Sequence, residues 1–260
     1  MGCNSSRYVV NINMEGQGID CQRALKLLKL EDNEIDKLYS CFVKFDLSGD
    51  GQLSLIEFLT MLDLDETFLT KEIFDQMDSS GDKSLNFKEF VLSVWRYCVM
   101  TKKQISEMVF ELYDGNGNGE LNDTELKQMI TAMYANKTVQ YDMNKLLKTI
   151  NHSRPGIVEK KEFIEATLKN QALLFPAFHM QKVLQDKICG VSFWSEQSIK
   201  SGSVLSNPEV QGLFRKRRFS SPKHVSTVTP IIAPSNKLPT NEGLVLIDFG
   251  STQGSEKITS

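Results

Sequence analysis

The stretch Asp46-Leu-Ser-Gly-Asp-Gly-Gln-Leu-Ser-Leu-Ile-Glu57 decides the fold of this 260-residue chain. Side chains that carry oxygen stand at its positions 1, 3, 5, 9 and 12, with glycine at position 6 and leucine at position 8. Glycine suits a turn with a positive φ angle. The ending Ser54-x-x-Glu57 is a capping box, which predicts that a helix begins directly after Ser54. The stretch therefore predicts a tight polar loop between two helices.

The spacing of the oxygens in this first loop matches the needs of calcium. Calcium is a hard cation that takes about 6–8 oxygen ligands, and a twelve-residue loop supplies them from positions 1, 3, 5, 7, 9 and 12. Position 7 contributes a backbone carbonyl, and a glutamate at position 12 binds with both carboxylate oxygens. The predicted ligands of the first loop are Asp46, Ser48, Asp50, Gln52, Ser54 and Glu57.

A second loop of the same spacing runs from 78 to 89. Its predicted ligands are Asp78, Ser80, Asp82, Ser84, Asn86 and Glu89. It departs from the pattern at position 6, where Lys83 replaces glycine. A side chain in the left-handed region costs roughly 1–2 kcal/mol, and the lysine charge lies near the cation. We therefore expect calcium binding here, but weaker than in the first loop.

A third loop runs from 114 to 125. Its predicted ligands are Asp114, Asn116, Asn118, Glu120 and Glu125. Only Asp114 and Glu125 supply carboxylates, because Glu120 stands at position 7 and contributes its carbonyl. Since calcium affinity depends on the number of charged ligands, we expect the third loop to bind weakly.

A fourth loop, 151–162, is degenerate. It keeps Gly156 at position 6 and Glu162 at position 12, but Pro155 removes the ligand at position 5 and Asn151 replaces the first aspartate. We predict no calcium there. Its expected role is structural, with Val158 paired to Leu121 of the third loop.

Helix–loop–helix units repeat along residues 34–170. Apolar residues recur at i, i+3, i+4 and i+7 between loops that start at 46, 78, 114 and 151. Four loops of matched spacing between amphipathic helices resemble the EF-hand superfamily. The arrangement is most like calcineurin B, the calcineurin B-like proteins and the neuronal calcium sensors. Leu174-Phe-Pro-Ala-Phe178 stands where such proteins carry a C-terminal segment that covers or lines the target groove.

The resemblance implies an all-α fold of four EF-hands in two pairs, with a short β-bridge between the paired loops. We place the first pair at 34–97 and the second, with its degenerate fourth hand, at 98–170. A C-terminal helix is expected over 171–192. Residues 193–260 are rich in Ser, Pro, Thr, Asn and Gly, which predicts a disordered tail.

Residues 1–33 are expected to form an N-terminal arm that carries lipid. The start Met1-Gly2-Cys3-Asn4-Ser5-Ser6 fits the N-myristoylation pattern on Gly2. One myristoyl chain gives only marginal anchoring, so a second signal is needed for stable attachment. Cys3 is a candidate for palmitoylation and would supply it. The expected location is the cytoplasm, at the cytosolic face of a membrane.

Composition narrows the classes of function. The net charge of -3 argues against binding nucleic acid through bulk positive charge. The five cysteines are widely spaced without a CxxC pair, which indicates reduced thiols rather than a disulfide framework or a zinc site. No apolar run approaches the ~18 residues that a membrane-spanning helix needs. No catalytic constellation is recognisable, so we expect a protein that is not an enzyme.

The functional hypothesis from the sequence is a calcium sensor. Calcium at three sites, with Mg²⁺ as an alternative occupant at rest, would open the helix pairs and expose a groove lined by Phe42, Phe58, Phe74 and Phe90. An amphipathic helix of a target protein would bind there. Two alternatives stay open: a constitutive calcium-binding regulatory subunit of a phosphatase or kinase, and a calcium buffer.

Overall fold

The computed structural model describes residues 18–134, 154 and 156–214, which contain eleven α-helices and four short strands. The helices are α1 Gly18–Leu27, α2 Asp32–Phe45, α3 Leu55–Leu62, α4 Phe68–Met77, α5 Phe87–Val99, α6 Lys102–Tyr113, α7 Asp123–Tyr134, α8 Lys160–Lys169, α9 Phe175–Lys187, α10 Val191–Leu205 and α11 Pro208–Leu213. The strands are β1 Leu53–Ser54, β2 Ser84–Leu85, β3 Glu120–Asn122 and β4 Ile157–Glu159.

Two antiparallel strand pairs join the loops in the predicted way. Leu53 of β1 lies opposite Leu85 of β2, and Leu121 of β3 lies opposite Val158 of β4. All four side chains are fully buried. The apolar residue at position 8 of each loop therefore anchors its neighbour, and the predicted all-α fold with β-bridged pairs is confirmed.

Side-chain caps mark where the helices of the first pair begin. The Ser54 hydroxyl accepts the N–H of Glu57, while the Glu57 carboxylate accepts the N–H of Ser54, which is the predicted capping box. Asn86 and Glu89 make the same reciprocal contact at the start of α5. These pairs satisfy backbone donors that have no partner within the helix. The residues that end each ion loop thus also start its exiting helix.

The four phenylalanines of the predicted groove lie inside the first pair. Phe42, Phe58, Phe74 and Phe90 are 3%, 0%, 1% and 0% exposed. The Phe42 and Phe90 ring centroids are 5.5 Å apart, and those of Phe58 and Phe74 are 5.6 Å apart. Aromatic pairs at these distances add to the stabilisation from burial. The structure therefore shows the pair closed around them.

Residues 18–27 correct the boundary of the N-terminal arm. They form α1, and the buried residues Cys21, Ala24 and Leu25 of α1, with Leu28 directly after it, follow the i, i+3, i+4, i+7 pattern of one helix face. α1 packs against α5 and α11. The prediction of an arm over 1–33 is wrong for this segment, because that apolar face belongs to the core. Gly2 and Cys3 lie outside the described residues.

Residues 193–214 correct the boundary of the tail. α10 and α11 occupy them, and Trp194, Val204 and Val210 are at most 1% exposed. α10 packs against α5, and α11 packs against α1 and α10. The prediction of disorder from 193 onward is wrong here. The segment is polar between its apolar residues, but those apolar residues of α10 are buried against α5. The rest of the predicted tail lies outside the described residues.

The segment predicted as one C-terminal helix is divided. A 3-10 turn over Gln171–Leu174 precedes α9, and Pro176 stands in the first turn of α9, where a missing N–H costs nothing. α9 ends at Lys187, and Cys189 and Gly190 turn the chain into α10 with positive φ angles of 62° and 85°. α9 packs against α5, α6 and α3.

All the described residues fall within one compact unit, 1–223. None of the helices described in that unit combines the length and the apolar character required to cross a bilayer.

Candidate metal centres

The first loop folds around the carboxylate of Asp46. Its Oδ1 accepts the N–H groups of Gly49 at 2.7 Å and Asp50 at 3.2 Å, and its Oδ2 accepts the N–H of Gly51 at 2.9 Å. Glu57 closes the loop, since its Oε1 accepts the N–H of Ser48 at 2.9 Å. Positions 1 and 12 therefore both face backbone groups at the start of the loop.

The second loop repeats these contacts with greater burial. Asp78 Oδ2 accepts the N–H of Lys83 at 2.8 Å, and Glu89 Oε1 accepts the N–H of Ser80 at 2.7 Å. Asp78 and Glu89 are each only 4% exposed. The Ser79 hydroxyl also donates to Glu89 Oε1 at 2.8 Å. Sequence reasoning missed Ser79, because position 2 is not a ligand position.

Lys83 adopts the conformation that its position requires. Its φ angle is 69°, next to 80° for Gly51, 81° for Gly119 and 74° for Gly156 at the same position of the other loops. The predicted left-handed strain is therefore present, and the loop closes in spite of it. The Lys83 side chain is exposed, so water and salt weaken the effect of its charge on a bound ion.

The third loop is more open at its end. Asp114 Oδ2 accepts the N–H of Gly119 at 2.9 Å, and Asn118 Oδ1 accepts the N–H of Glu120 at 2.8 Å. Glu125 accepts the N–H of Asn122 at 3.0 Å. Among the described contacts, Glu125 has no bond to the third residue of its loop like those of Glu57 and Glu89. The weak binding expected of this loop stays a prediction.

The donors in these loops fit a hard cation, since they are carboxylate, hydroxyl, amide and carbonyl oxygens. Within the described ranges, no three His, Cys, Asp or Glu side chains gather closely enough to hold a metal ion by themselves. A calcium ion would therefore also draw on the serine, asparagine and backbone oxygens of each loop. Two buried carboxylates in one loop, Asp78 and Glu89, favour a cation between them because like charges repel in a buried site.

Hydrogen bonds keep two acidic groups of the loops, Glu57 and Asp82, charged. Burial alone would raise the pKa of Glu57, but bonds from Ser54 and Ser48 lower it to about 2. The pKa of Asp82 is lowered chiefly by the Ser84 hydroxyl and also by the Ser84 N–H. Both carboxyl groups are therefore ionised at neutral pH, as calcium ligands must be.

The first two loops also touch each other beyond their strands. The Ser84 hydroxyl donates to Gln52 Oε1 at 2.7 Å and to Asp82 Oδ1 at 2.9 Å. Gln52 and Ser84 both stand at position 7, whose ligand is the backbone carbonyl. Their side chains are therefore available to connect the two loops. If the first loop moves, Gln52 displaces Ser84, which is also bonded to Asp82, a ligand of the second loop.

The described part of the fourth loop serves the pairing. The Arg154 guanidinium contacts the carboxylates of Glu120 and, at 3.1 Å, Glu159, which lie opposite each other in the β3–β4 ladder. The N–H of Asp123 also donates to the Gly156 carbonyl at 3.1 Å. These contacts agree with a structural role. Asn151 and Pro155, on which the prediction of no calcium rests, lie outside the described residues.

Paired loops, flanking helices and oxygen ligands together define a calcium-binding helix–loop–helix protein. A family model described as "EF hand" matches residues 38–62 and 105–130, which hold parts of the first and third hands. The chain belongs to the EF-hand family of calcium-binding proteins.

Within that family the chain is similar to calcineurin B. It is 33% identical to calcineurin B of Naegleria gruberi over 145 residues, which are 54% of this chain and 81% of the relative. It is 31% identical to calcineurin B type 2 of Homo sapiens over 122 residues, which are 46% of this chain and 72% of the relative. The Bos taurus type 2 protein gives 30% over 122 residues, again 46% and 72%. The predicted resemblance is confirmed, and it indicates a calcium-binding regulatory protein.

Proposed function

We propose that this chain is a calcium sensor that opens its first hand pair and binds a helix of a target protein. The observation that carries the proposal is the adjacency of ligands and core residues. Glu57 is followed by Phe58, and Glu89 is followed by Phe90. Both phenylalanines are completely buried. A shift of either glutamate therefore moves the helix that closes the aromatic core.

The resting contacts of Glu57 suggest how the chain would respond. Its two carboxylate oxygens accept the N–H groups of Ser48 and Ser54, at opposite ends of the loop. When bound, calcium supplies a positive charge that the loop's oxygens share. Glu57 would hold the ion with both carboxylate oxygens in place of these backbone partners, and α3 would move with it because Glu57 lies in its first turn. Ser84 and Gln52 transmit the change to the second loop.

The target would bind the apolar surface that opening uncovers. α9 packs on α3, α5 and α6, and α10 packs on α5. An amphipathic helix from a partner presents the same kind of face as these helices. The predicted target helix therefore competes with, or adds to, contacts that α9 and α10 already make.

A constitutive regulatory subunit is the second candidate function. The relatives are named as subunits of calcineurin, and the first pair is already closed around its aromatic core. A partner that stays bound in chelator, in stoichiometric amount, would favour this function. A calcium buffer would bind the ion without uncovering apolar surface.

Membrane attachment is a further part of the proposal. The motif at Gly2 and the adjacent Cys3 support N-myristoylation and palmitoylation, which would hold the protein at the cytosolic face of a membrane. Intact mass of the protein from its native cells tests this directly. A Gly2→Ala chain should lack the added mass of the acyl group and should not sediment with membranes.

The experiment that tests the proposed function is a calcium titration by calorimetry, with binding of an apolar-surface dye read in parallel. Saturable binding with a calcium-dependent rise in dye signal is expected. Glu57→Gln, Glu89→Gln and Glu125→Gln, made singly, should each remove binding at one loop. Saturable binding without a dye response would contradict the sensor, and no binding would contradict both candidates.

A further inference from the structure

Two cysteines from distant parts of the chain meet beside the first hand. Cys41 lies on α2, and Cys189 lies in the turn between α9 and α10. Their thiols face each other in hydrogen-bonding contact, and the backbone of Cys189 also bonds to Cys41. Both side chains are reduced and only half-buried. The two other described cysteines, Cys21 and Cys98, are buried.

The backbone at Cys189 has an unusual conformation for a residue that is not glycine. Its φ angle of 62° is in the left-handed region, and the next residue, Gly190, also has a positive φ angle. A residue other than glycine costs roughly 1–2 kcal/mol there. Cysteine occupies the position in spite of that cost, and its thiol is directed at Cys41.

Solvent reaches Cys189 through a polar cleft, and Cys41 beside it is itself only partly buried. The cleft has a volume of about 220 Å³, and Cys189 forms part of its lining together with Glu31, Lys37, Glu196 and Lys200. A small polar oxidant such as hydrogen peroxide fits such a space and finds hydrogen-bonding groups in it. The buried thiols of Cys21 and Cys98 have no comparable exposure.

The two thiols are electrostatically unequal. The hydrogen bond from the Cys189 thiol, helped by its backbone and by the Lys44 charge, lowers the pKa of Cys41 to about 6 in spite of partial burial. The same contact and burial raise the pKa of Cys189. Cys41 is thus the thiolate and nucleophile of the pair, and Cys189 keeps its proton.

We infer that Cys41 and Cys189 are a peroxide-reactive dithiol that closes to a disulfide between α2 and the α9–α10 turn. The Cys41 thiolate attacks one oxygen of hydrogen peroxide, the O–O bond breaks, and hydroxide leaves and is protonated to water. Cys41 is then a sulfenic acid. Cys189 sulfur attacks Cys41 sulfur, the S–O bond breaks, and the Cys189 proton leaves with the hydroxyl as water. Two thiols and one peroxide give one disulfide and two waters.

The disulfide would tie the C-terminal helices to the first hand. α2 leads directly into the first calcium loop, and α10 packs on α5 of the same hand pair. Oxidation would therefore restrain α2 while α10 stays in place. This consequence rests on the proposed function, since it predicts that the calcium-dependent dye response falls in the oxidised protein.

The test uses the full chain, treated with a small excess of hydrogen peroxide and mapped by mass spectrometry without reduction. A cross-linked peptide pair containing Cys41 and Cys189 is expected, at least about tenfold faster than oxidation of Cys98, because thiolate is the reactive form. Cys41→Ser should abolish it. Cys189→Ser should leave Cys41 as a sulfenic acid that dimedone labels. Cys98→Ala is the control variant and should cross-link normally.

Other outcomes would overturn the inference. They are oxidation of Cys41 to sulfinic acid without a cross-link in the unchanged chain, unaltered thiols, or dimedone labelling of Cys189 in the Cys41→Ser chain. The calcium response of the reduced protein tests the proposed function separately, so a failure of one is distinguishable from a failure of the other.

Discussion

Lys83 affects the second loop in two different ways, through the strain of its backbone and through the charge of its side chain. Its φ angle of 69° is close to the angle that glycine takes at the same position of the other loops, and its N–H is bonded to Asp78. The strain is present whether or not an ion is bound, so it lowers stability rather than affinity. The charge of the side chain acts on the ion and therefore lowers affinity.

Two substitutions of Lys83 should show this difference. Lys83→Gly removes strain and charge, whereas the matched Lys83→Gln removes only charge. We expect Lys83→Gly to be more stable than Lys83→Gln by about 0.5–1 kcal/mol, after the extra chain entropy of glycine is counted. Both should tighten calcium binding at the second loop by the same few-fold factor. Urea unfolding and calorimetry measure the two effects, and a much larger gain in affinity for Lys83→Gly would contradict the assignment.

Glu57 should make stability depend on pH in the absence of calcium. Its pKa in the folded protein is about 2, below the ordinary value of 4.5. The contribution is therefore fully present above pH 4.5 and is lost as pH falls towards about 2. In chelator, Glu57→Gln should be less stable than the unchanged chain near neutral pH, and the difference should shrink in acid.

Unfolding of both chains at about pH 7 and about pH 3 measures this effect. Glu66→Gln is the control, since Glu66 is exposed and pairs with Lys71, and exposed ion pairs contribute little. A stability difference between Glu57→Gln and the unchanged chain that stays constant with pH would show that the serine contacts of Glu57 do not act as described.

At the scale of elements, a buried polar network fastens α10 to the first hand pair. Gln197 is fully buried; its Nε2 donates to Glu34 Oε1 at 2.6 Å, and its Oε1 accepts from Trp95 Nε1 at 3.3 Å. Lys200 also reaches Glu34, at 3.3 Å. One side chain of α10 thus forms hydrogen bonds to both α2 and α5. Because hydrogen bonds are directional, they fix the orientation of α10 more closely than apolar contacts alone would.

Replacing Gln197 by leucine should weaken this attachment. The change keeps the size of the side chain but leaves Trp95 Nε1 without its acceptor and Glu34 without one donor, at a cost of about 1–3 kcal/mol for each unsatisfied group. Gln128→Leu is the matched control, because Gln128 is exposed on α7. Urea unfolding of the two variants measures the difference. Equal stability would mean that water replaces Gln197 without loss.

At the scale of the whole molecule, the helices after Ser192 complete the core. Trp95 is fully buried, Phe214 stacks on it with ring planes 3° apart, and the Arg96 guanidinium donates to the Phe214 carbonyl at 3.0 Å. Trp194 and Val210 are buried within the same core. Residues that the sequence placed in a disordered tail therefore cover α5.

Two truncations should distinguish a core element from a tail. A chain that ends at Ser192 uncovers the α5 face, so it should unfold at lower denaturant concentration and bind the apolar dye without calcium. A chain that ends at Phe214 keeps every contact named above and is the matched control, with the stability of the full chain. Dye binding in chelator and urea unfolding measure both. A Ser192 chain as stable as the control would contradict the integral role of α10 and α11.

The twelve-residue loops were readable in the sequence because their chemistry is local. A ligand, a turn residue and a helix cap each stand at a set distance along the chain, so Asp46, Gly51 and Ser54 indicated the first hand without any knowledge of distant residues. The same holds for the strand pairs, since the apolar residue at position 8 has only its neighbouring loop as a partner.

The contacts between distant segments were decided only by the tertiary structure. The apolar face of α1 is periodic in the sequence, but its spacing does not show which helices it packs against. The contact of Cys41 with Cys189 and the bonds of Gln197 to Glu34 and Trp95 produce no periodic pattern at all. The apolar residues of α10 stand among serine, glycine and charged residues that resemble a disordered segment, yet Trp194 and Val204 are buried in the core that α10 shares with α5. Whether a residue is buried depends on which elements the rest of the chain places beside it. The sequence by itself therefore determined the calcium loops and their pairing, whereas the packing of the core decided where the folded region ends and the tail begins.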